Sequence, residues 1–297
     1  MTDSTRGKSN FSILVLALLT LCYSCSSPQE NKQEATLHTA QAPSGIGLQL
    51  YTLRDSMSVS PKETLQRVAK LGYTQIELAD YKEGRFYGFE PKDFTRIAKS
   101  YGLTPVSAHI GIEALRSKPE LVISSCKVAG ISYVVLPWLQ EEERQNIEQY
   151  KEHVALMNRI GKMCSEAGLK FAYHNHAFEF ESIDGEVPMD IIMEGTNPEH
   201  VKMELDLYWI SKAGFDPVTY LQKYPGRFTM WHVKDMDDTP DQNFTEVGNG
   251  TIDYQAIFEL IESSDLEYFF VEQDQSSNPL GSIETSIQYL KKTLLTQ

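Results

Sequence analysis

From Ile46 onward, short runs of apolar and β-branched residues alternate with longer segments in which apolar positions recur at helical spacing. The short runs predict strands at Ile46–Tyr51, Gln75–Ala79, Pro105–His109, Tyr133–Leu136, Phe171–His174, Val201–Asp206, Thr229–Val233 and Tyr268–Glu272. Between them lie segments such as PKETLQRVAKLG, PKDFTRIAKSYG, EQYKEHVALMNRIGKMCSEAG and IDYQAIFELIESS. Several open on Pro or Asp and close on Gly, which are helix start and stop signals. Eight strand–helix units in about 250 residues predict an α/β fold, a single closed (β/α)8 TIM barrel over residues 45–297. An open doubly wound sheet is the runner-up. It is weakened by GLQLYTLRD after the first strand, where a dinucleotide-binding sheet carries a glycine-rich turn.

The first residues follow another pattern. Arg6 and Lys8 precede the apolar run Phe11–Leu21, which is short for a bilayer span and suits the core of an export signal. It ends in LCYSCSSPQEN, with small Ser24 before Cys25, which resembles a lipoprotein signal whose cysteine is lipidated. Residues 1–25 are therefore expected to be a signal peptide and residues 26–44, rich in Gln, Glu, Asn, Thr, Ala and Pro, a disordered tether. The expected location is the bacterial cell envelope, periplasm or outer membrane, with membrane contact through the lipid anchor alone. Cys22 and Cys25 spell CxxC inside the signal and are discounted as a metal or redox motif. Cys126 and Cys164 fall on predicted helices among apolar residues and read as buried free thiols, with a disulfide left open.

A formal charge of −14 and a pI near 5.0 argue against sequence-independent binding to nucleic acid. The chemistry gathers at the ends of the predicted strands, where a barrel of this type builds its active site. The first strand delivers Gln49, Tyr51 and Arg54; the second Glu77; the third His109; the fourth Pro137 and Trp138. The fifth delivers His174, Asn175 and His176, two of the chain's seven histidines, with Glu179 beyond. The sixth delivers Glu204, Asp206 and Trp209; the seventh His232, Lys234 and Asp235; the eighth Glu272, Gln273 and Asp274. Any one of these has a bland explanation, as a hydrogen-bonded histidine or a helix-capping acid. Yet His174, Asp206, His232 and Glu272 come from four consecutive strands, and two imidazoles with two carboxylates suit one divalent ion: Mn2+, Zn2+, Co2+, Fe2+ or Mg2+.

GLQLYTLRD, IELADY, SAHIG, YHNHAFEF, ELDLYW, HVKDM, GNGTIDY and VEQDQ together resemble the xylose isomerase-like TIM-barrel superfamily of sugar phosphate isomerases/epimerases, inosose dehydratases and ketose 3-epimerases. The resemblance implies one divalent metal held by Glu, Asp, His and Glu from strands five to eight. Asp206, His232 and Glu272 match that pattern, and His174 stands where the first Glu is expected. It also implies that epimerases use the two glutamates as an acid/base pair, so the replacement weakens simple epimerisation. YHNH…EF and HVKD resemble a branch of dehydratases and lyases acting on keto-sugars or keto-inositols, including enzymes that cleave 3-keto-glycosides by β-elimination.

The leading expectation is a metal-dependent sugar isomerase/epimerase acting by proton abstraction next to a carbonyl; the alternative is a β-eliminating lyase or dehydratase. A non-catalytic carbohydrate-binding protein is the rival of another class. His176 or Glu272 is the expected base, with His109 as a polar partner of the substrate or leaving group. Lys234 either polarises a hydroxyl or enolate or pairs with Asp235 or Glu204. Asn175 holds a substrate hydroxyl or fixes a ligand histidine. Gln49, Tyr51, Arg54, Trp138 and Trp209 are further substrate-binding candidates; Phe178 is another flat apolar face, and Glu77 sits between substrate contact and a buried ion pair. The expected partner is a small carbohydrate, and a homodimer is left open.

Overall fold

Every predicted strand is present, and the eight close on themselves. The computed structural model describes Pro43 and residues 45–294. The barrel strands are β1 (Gly47–Gln49), β2 (Gln75–Leu78), β3 (Thr104–His109), β4 (Tyr133–Leu136), β5 (Lys170–His174), β6 (Val201–Asp206), β7 (Phe228–Val233) and β8 (Tyr268–Val271). Within the barrel all neighbours are parallel, and β1 pairs with both β2 and β8, so the barrel has no open edge. The first strand is shorter than expected: after Gln49 the chain turns into a 3-10 helix, Leu50–Leu53, because the Gln49 side chain accepts a hydrogen bond from Tyr51 N. The proposed signal, tether and Cys25 lie outside the described residues. Among the described residues no helix is long and apolar enough to cross a membrane.

The helices start where proline supplies a preset φ and lacks a donor that would go unused: Pro61–Leu71, Pro91–Ser100, Pro119–Ala129, Pro188–Gly195 and Pro217–Lys223. The first ends on Gly72 at φ 100°, a left-handed conformation that disfavours side-chain-bearing residues. IDYQAIFELIESS, expected as one helix, breaks into a short α-helix, Tyr254–Phe258, and a 3-10 turn, Ile261–Ser263. Two small hairpins, Tyr81–Lys82 with Arg85–Phe86 and Asp235–Met236 with Phe244–Thr245, decorate the loops after β2 and β7.

Alternation along each strand divides the core. Outward residues such as Leu48, Ile76, Val134, Phe171, Leu205, Trp231 and Val271 join the apolar shell under the helices. Inward, Val106, Tyr133, Val135, Ala172, Met230 and Phe270 form a separate apolar cluster. Phe270 needs Gly47 beside it, since a Cβ there would lie 2.5 Å from the ring. Cys126 and Cys164 are buried free thiols, as expected.

Towards the C-terminal end the inward positions turn polar. Register places His174 beside Glu204 and Asp206 beside His232. Two irregularities help to aim these groups. The pairing of β2 with β3 shifts between Ile76 and Glu77, and that of β6 with β7 between Met203 and Glu204. Each shift falls directly before an inward carboxylate, the kind of place where a bulge re-aims a side chain.

Candidate metal centre and substrate cavity

His174, Asp206, His232 and Glu272 converge, each offering a ligand atom within 4.8 Å of the others, and all four are buried. His174 Nε2 lies 3.1 Å from Asp206 Oδ2, and His232 Nδ1 lies 2.8 Å from Glu272 Oε2 and 3.7 Å from Asp206 Oδ2. His232 Nδ1 finds no partner of hydrogen-bond geometry despite that proximity. A bare nitrogen among carboxylate oxygens fits a metal-ligand set better than a hydrogen-bonded cluster. The donors are two imidazoles and two carboxylates, consistent with a single divalent metal cofactor. Asp206 has a second duty, capping the helix Leu207–Lys212 by accepting from Trp209 N.

A second group, Glu77, His109, Glu204 and His232, shares His232 with the first. Lys234 stands on the other side, its Nζ 2.8 Å from Asp206 Oδ2, 2.6 Å from Glu272 Oε2 and 2.9 Å from Asp274 Oδ1. The expected alternatives for its ion pair, Asp235 and Glu204, are not these partners. Lys234 follows His232 at a spacing of two and so faces the same interior, whereas Asp235 points away to accept backbone N–H groups of Gly248, Gly250 and Ile252.

Without an ion, the charges are set by burial against neighbours. Burial pushes the Glu272 carboxyl up, but Lys234 and His232 bring it well below the usual range, and against the same burial Lys234 holds Asp206 down. Burial depresses His109, yet Glu77 and Glu204 raise it to about 9. His176 is driven well down by burial and then by His174 and Lys234, so its imidazole is neutral at pH 7. Asp274, raised to about 6 by burial against the opposing pull of Lys234, sits at the cavity wall. A bound dication would add the largest charge of all and shift this balance further.

A cavity of about 640 Å³ opens onto the upper group, within the usual range for small-molecule sites. Tyr51, Arg54, Trp138, His176, Trp209 and Lys234 are among its walls, as are His109, His174 and Glu272. His176 is framed by aromatic rings, with Trp138 at 4.5 Å, Phe178 stacked at 5.5 Å and Trp209 at 5.4 Å between centroids. Its backbone is held by Glu179, whose Oε2 accepts from His176 N at 2.8 Å while Oε1 accepts from the Tyr173 hydroxyl. Arg54 lies over the Tyr51 ring and donates to the Asp274 carbonyl.

Two substrate-binding expectations are corrected. Gln49 is fully buried, with Nε2 donating to Glu77 Oε1 and Oε1 accepting from Tyr51 N, so both ends of its amide have protein partners. Asn175 is also buried, and its Oδ1 accepts from Asp206 N at 3.0 Å, so its amide oxygen braces the backbone of a candidate ligand residue, Asp206 rather than the histidine expected as one of its two uses. Glu77 does form a buried ion-pair arrangement, with His109 and His232. Asp274 was visible at a strand end without an assigned role, and Glu204 only as a possible partner of Lys234. The signal for Glu204 was its spacing of two from Asp206, which puts both on one face.

Among curated relatives, an inosose dehydratase of Geobacillus kaustophilus is 27% identical, covering 72% of this chain and 80% of that protein. An inosose dehydratase of Clostridium tetani is 26% identical over 52% of this chain, and the chain spans 57% of that relative's length. A sugar phosphate isomerase/epimerase of Parabacteroides distasonis superposes with a TM-score of 0.74 at 25% identity, covering 87% of this chain and 97% of the other. A family model described as xylose isomerase-like TIM barrel matches residues 65–293, well over half of the chain. With its closed parallel barrel and a buried imidazole–carboxylate donor set at the strand ends, the chain belongs to the xylose isomerase-like TIM-barrel family, with inosose dehydratases among its relatives.

Proposed function

We propose that the protein is a β-eliminating lyase or dehydratase of a keto-sugar, a keto-inositol or a 3-keto-glycoside. The observation that carries this reading is the asymmetry at β5: the strand brings His174 into the donor set and places neutral His176, with Nδ1 unpartnered, at the cavity wall. Epimerisation needs acid/base groups on opposite faces of one carbon. Elimination needs one base for the carbon acid and one acid for the departing oxygen, and His176 with Lys234 suits that division. The inosose dehydratase relatives favour the same reading over isomerisation.

A divalent ion held by His174, Asp206, His232 and Glu272 supplies Lewis-acid stabilisation of charge developing on the carbonyl oxygen, several kcal/mol of the barrier. His176 takes the proton from the carbon beside the carbonyl. The electron pair left behind forms the carbon–carbon double bond as the neighbouring C–O bond breaks, and the leaving oxygen takes a proton from Lys234. Tyr51, Trp138 and Trp209 offer flat faces to the ring.

Proton NMR in D2O, with the protein loaded with Mg2+ or Zn2+ and offered an inosose and 3-keto-glucosides, tests the reading. Metal-dependent loss of the proton beside the carbonyl together with water or aglycone release is expected. Exchange or a new sugar with nothing released would replace elimination by isomerisation or epimerisation. The N-terminal run remains the basis for an envelope-anchored enzyme, and Cys25→Ser should move it from the membrane to the soluble fraction; no shift on fractionation would remove the lipid anchor from the picture.

A further inference from the structure

The deeper group, Glu77, His109, Glu204 and His232, has the form of a closed circuit. His109 Nε2 lies 3.0 Å from Glu77 Oε1 and 2.9 Å from Glu204 Oε2; His232 Nε2 lies 2.7 Å from Glu77 Oε1 and 3.3 Å from Glu204 Oε2. Nitrogen and oxygen thus alternate around one point. Four donors held about 2.0–2.2 Å from a common tetrahedral ion are separated from one another by roughly 3.3–3.6 Å. The circuit, with edges from 2.7 to 3.3 Å, is a few tenths of an ångström tighter and would open slightly around an ion.

Plain hydrogen bonding accounts poorly for how the carboxylates are used. Each turns one oxygen into the circuit, while Glu77 Oε2 and Glu204 Oε1 are buried with no hydrogen-bond partner. Glu77 Oε1 meanwhile faces three nitrogens, those of His109, His232 and, at 2.7 Å, Gln49 Nε2. A buried acceptor left bare loses its hydration with nothing in return, so carboxylates seeking donors alone would share them between both oxygens. Binding an ion through one oxygen each requires the observed arrangement. Two fully buried carboxylates also need two positive charges, and one dication supplies both with the imidazoles neutral.

We propose that Glu77, His109, Glu204 and His232 form a second divalent-metal site of the zinc type, closed by four protein ligands and structural rather than catalytic. His232 bridges it to the upper set, with Nε2 below and Nδ1 above. When both ions are present the ring has lost its N–H proton to solvent and bridges as imidazolate. The inference does not rest on the lyase reading, since turnover could proceed with the upper ion alone.

The test counts metal. Protein stripped with chelator, reloaded with Zn2+ and freed of excess should hold two ions per chain by mass spectrometry, and His109→Ala should hold one. A wild type holding one ion, or a His109→Ala protein still holding two, overturns the proposal. Should His109→Ala not fold, the Mn2+ EPR spectrum of the wild type decides. Two ions sharing one imidazole give an exchange-coupled signal, and an isolated-ion spectrum at saturation would reject the bridge. Neither readout depends on turnover, so a missing second ion and a failed elimination assay are separate results.

Discussion

Lys234 Nζ lies 2.6 Å from Glu272 Oε2, the same oxygen that approaches His232 Nδ1 at 2.8 Å. An ammonium and the metal donor set therefore draw on one carboxylate oxygen. In the absence of an ion Lys234 compensates the charge of Asp206 and Glu272; with an ion bound, the two cations repel one another across a buried site.

Lys234→Met should separate these roles. Removing one partner of a buried charge group costs about 3–5 kcal/mol, so the metal-free variant should melt well below the wild type. Metal affinity should rise at least tenfold, about 1.4 kcal/mol, because the competing charge is gone. Calorimetric melting with and without Mn2+, together with chelator competition, measures both. Unchanged metal affinity would mean that Lys234 and the ion do not share the oxygen.

His176 provides the kinetic test of the base. His176→Gln should lower kcat by about 10²–10⁴-fold while leaving bound metal unchanged, since its ring is outside the donor set. Burial, His174 and Lys234 all hold its pKa below the ordinary 6.5, so the reactive neutral form survives into acid. The acid limb of the wild-type kcat/KM profile should therefore fall below pH 6.5. A limb above neutrality would assign the base elsewhere.

The barrel was legible because its strands are buried on both faces and read as apolar runs, against which inward polar residues at spacings of two stand out. His174, Asp206, His232 and Glu272 stood out together, each at the end of one of four consecutive strands. What adjacency along the chain does not convey is depth. Glu204 shares a face with Asp206 but sits a layer lower, and its meeting with His109 depends on cross-strand register and the shift beside Met203. Gln49 and Asn175 occupy strand ends like any binding residue, yet backbone groups consume their amides. The hairpin strands escaped notice because two residues show no period.

Glu179 makes part of the stability depend on pH. Burial pushes its carboxyl up to about 7 from an ordinary 4.5, although Tyr173 and His176 N favour the anion. A raised acid stabilises the fold fully below pH 4.5 and loses that contribution as pH climbs through 7. The rise corresponds to about 3 kcal/mol. Urea unfolding at pH 4.5 and pH 8 should show this loss in wild type and not in Glu179→Gln. Equal slopes in the two proteins would mean that Glu179 ionises freely in the fold.

Asp235 is the brace of the loop after β7, and the way it is used predicts an unusual substitution pattern. Oδ1 accepts from Met236 N at 2.8 Å and Ile252 N at 3.2 Å, and Oδ2 from Gly248 N at 2.9 Å and Gly250 N at 3.1 Å. Because both oxygens accept, the amide introduced by Asp235→Asn would turn a donor toward two N–H groups. The conservative change should therefore cost nearly as much as Asp235→Ala, about 3 kcal/mol for a buried charged acceptor with several donors. Gly250→Ala should be comparably damaging, since its Cβ would lie 2.2 Å from Asp235 Oδ1 and 2.4 Å from the Met236 carbonyl oxygen. All three variants should also bind metal more weakly, because the braced segment follows directly on His232 and Lys234. Chemical denaturation and metal titration of the three proteins check this order, and an Asp235→Asn protein as stable as wild type would show that the loop is held by other contacts.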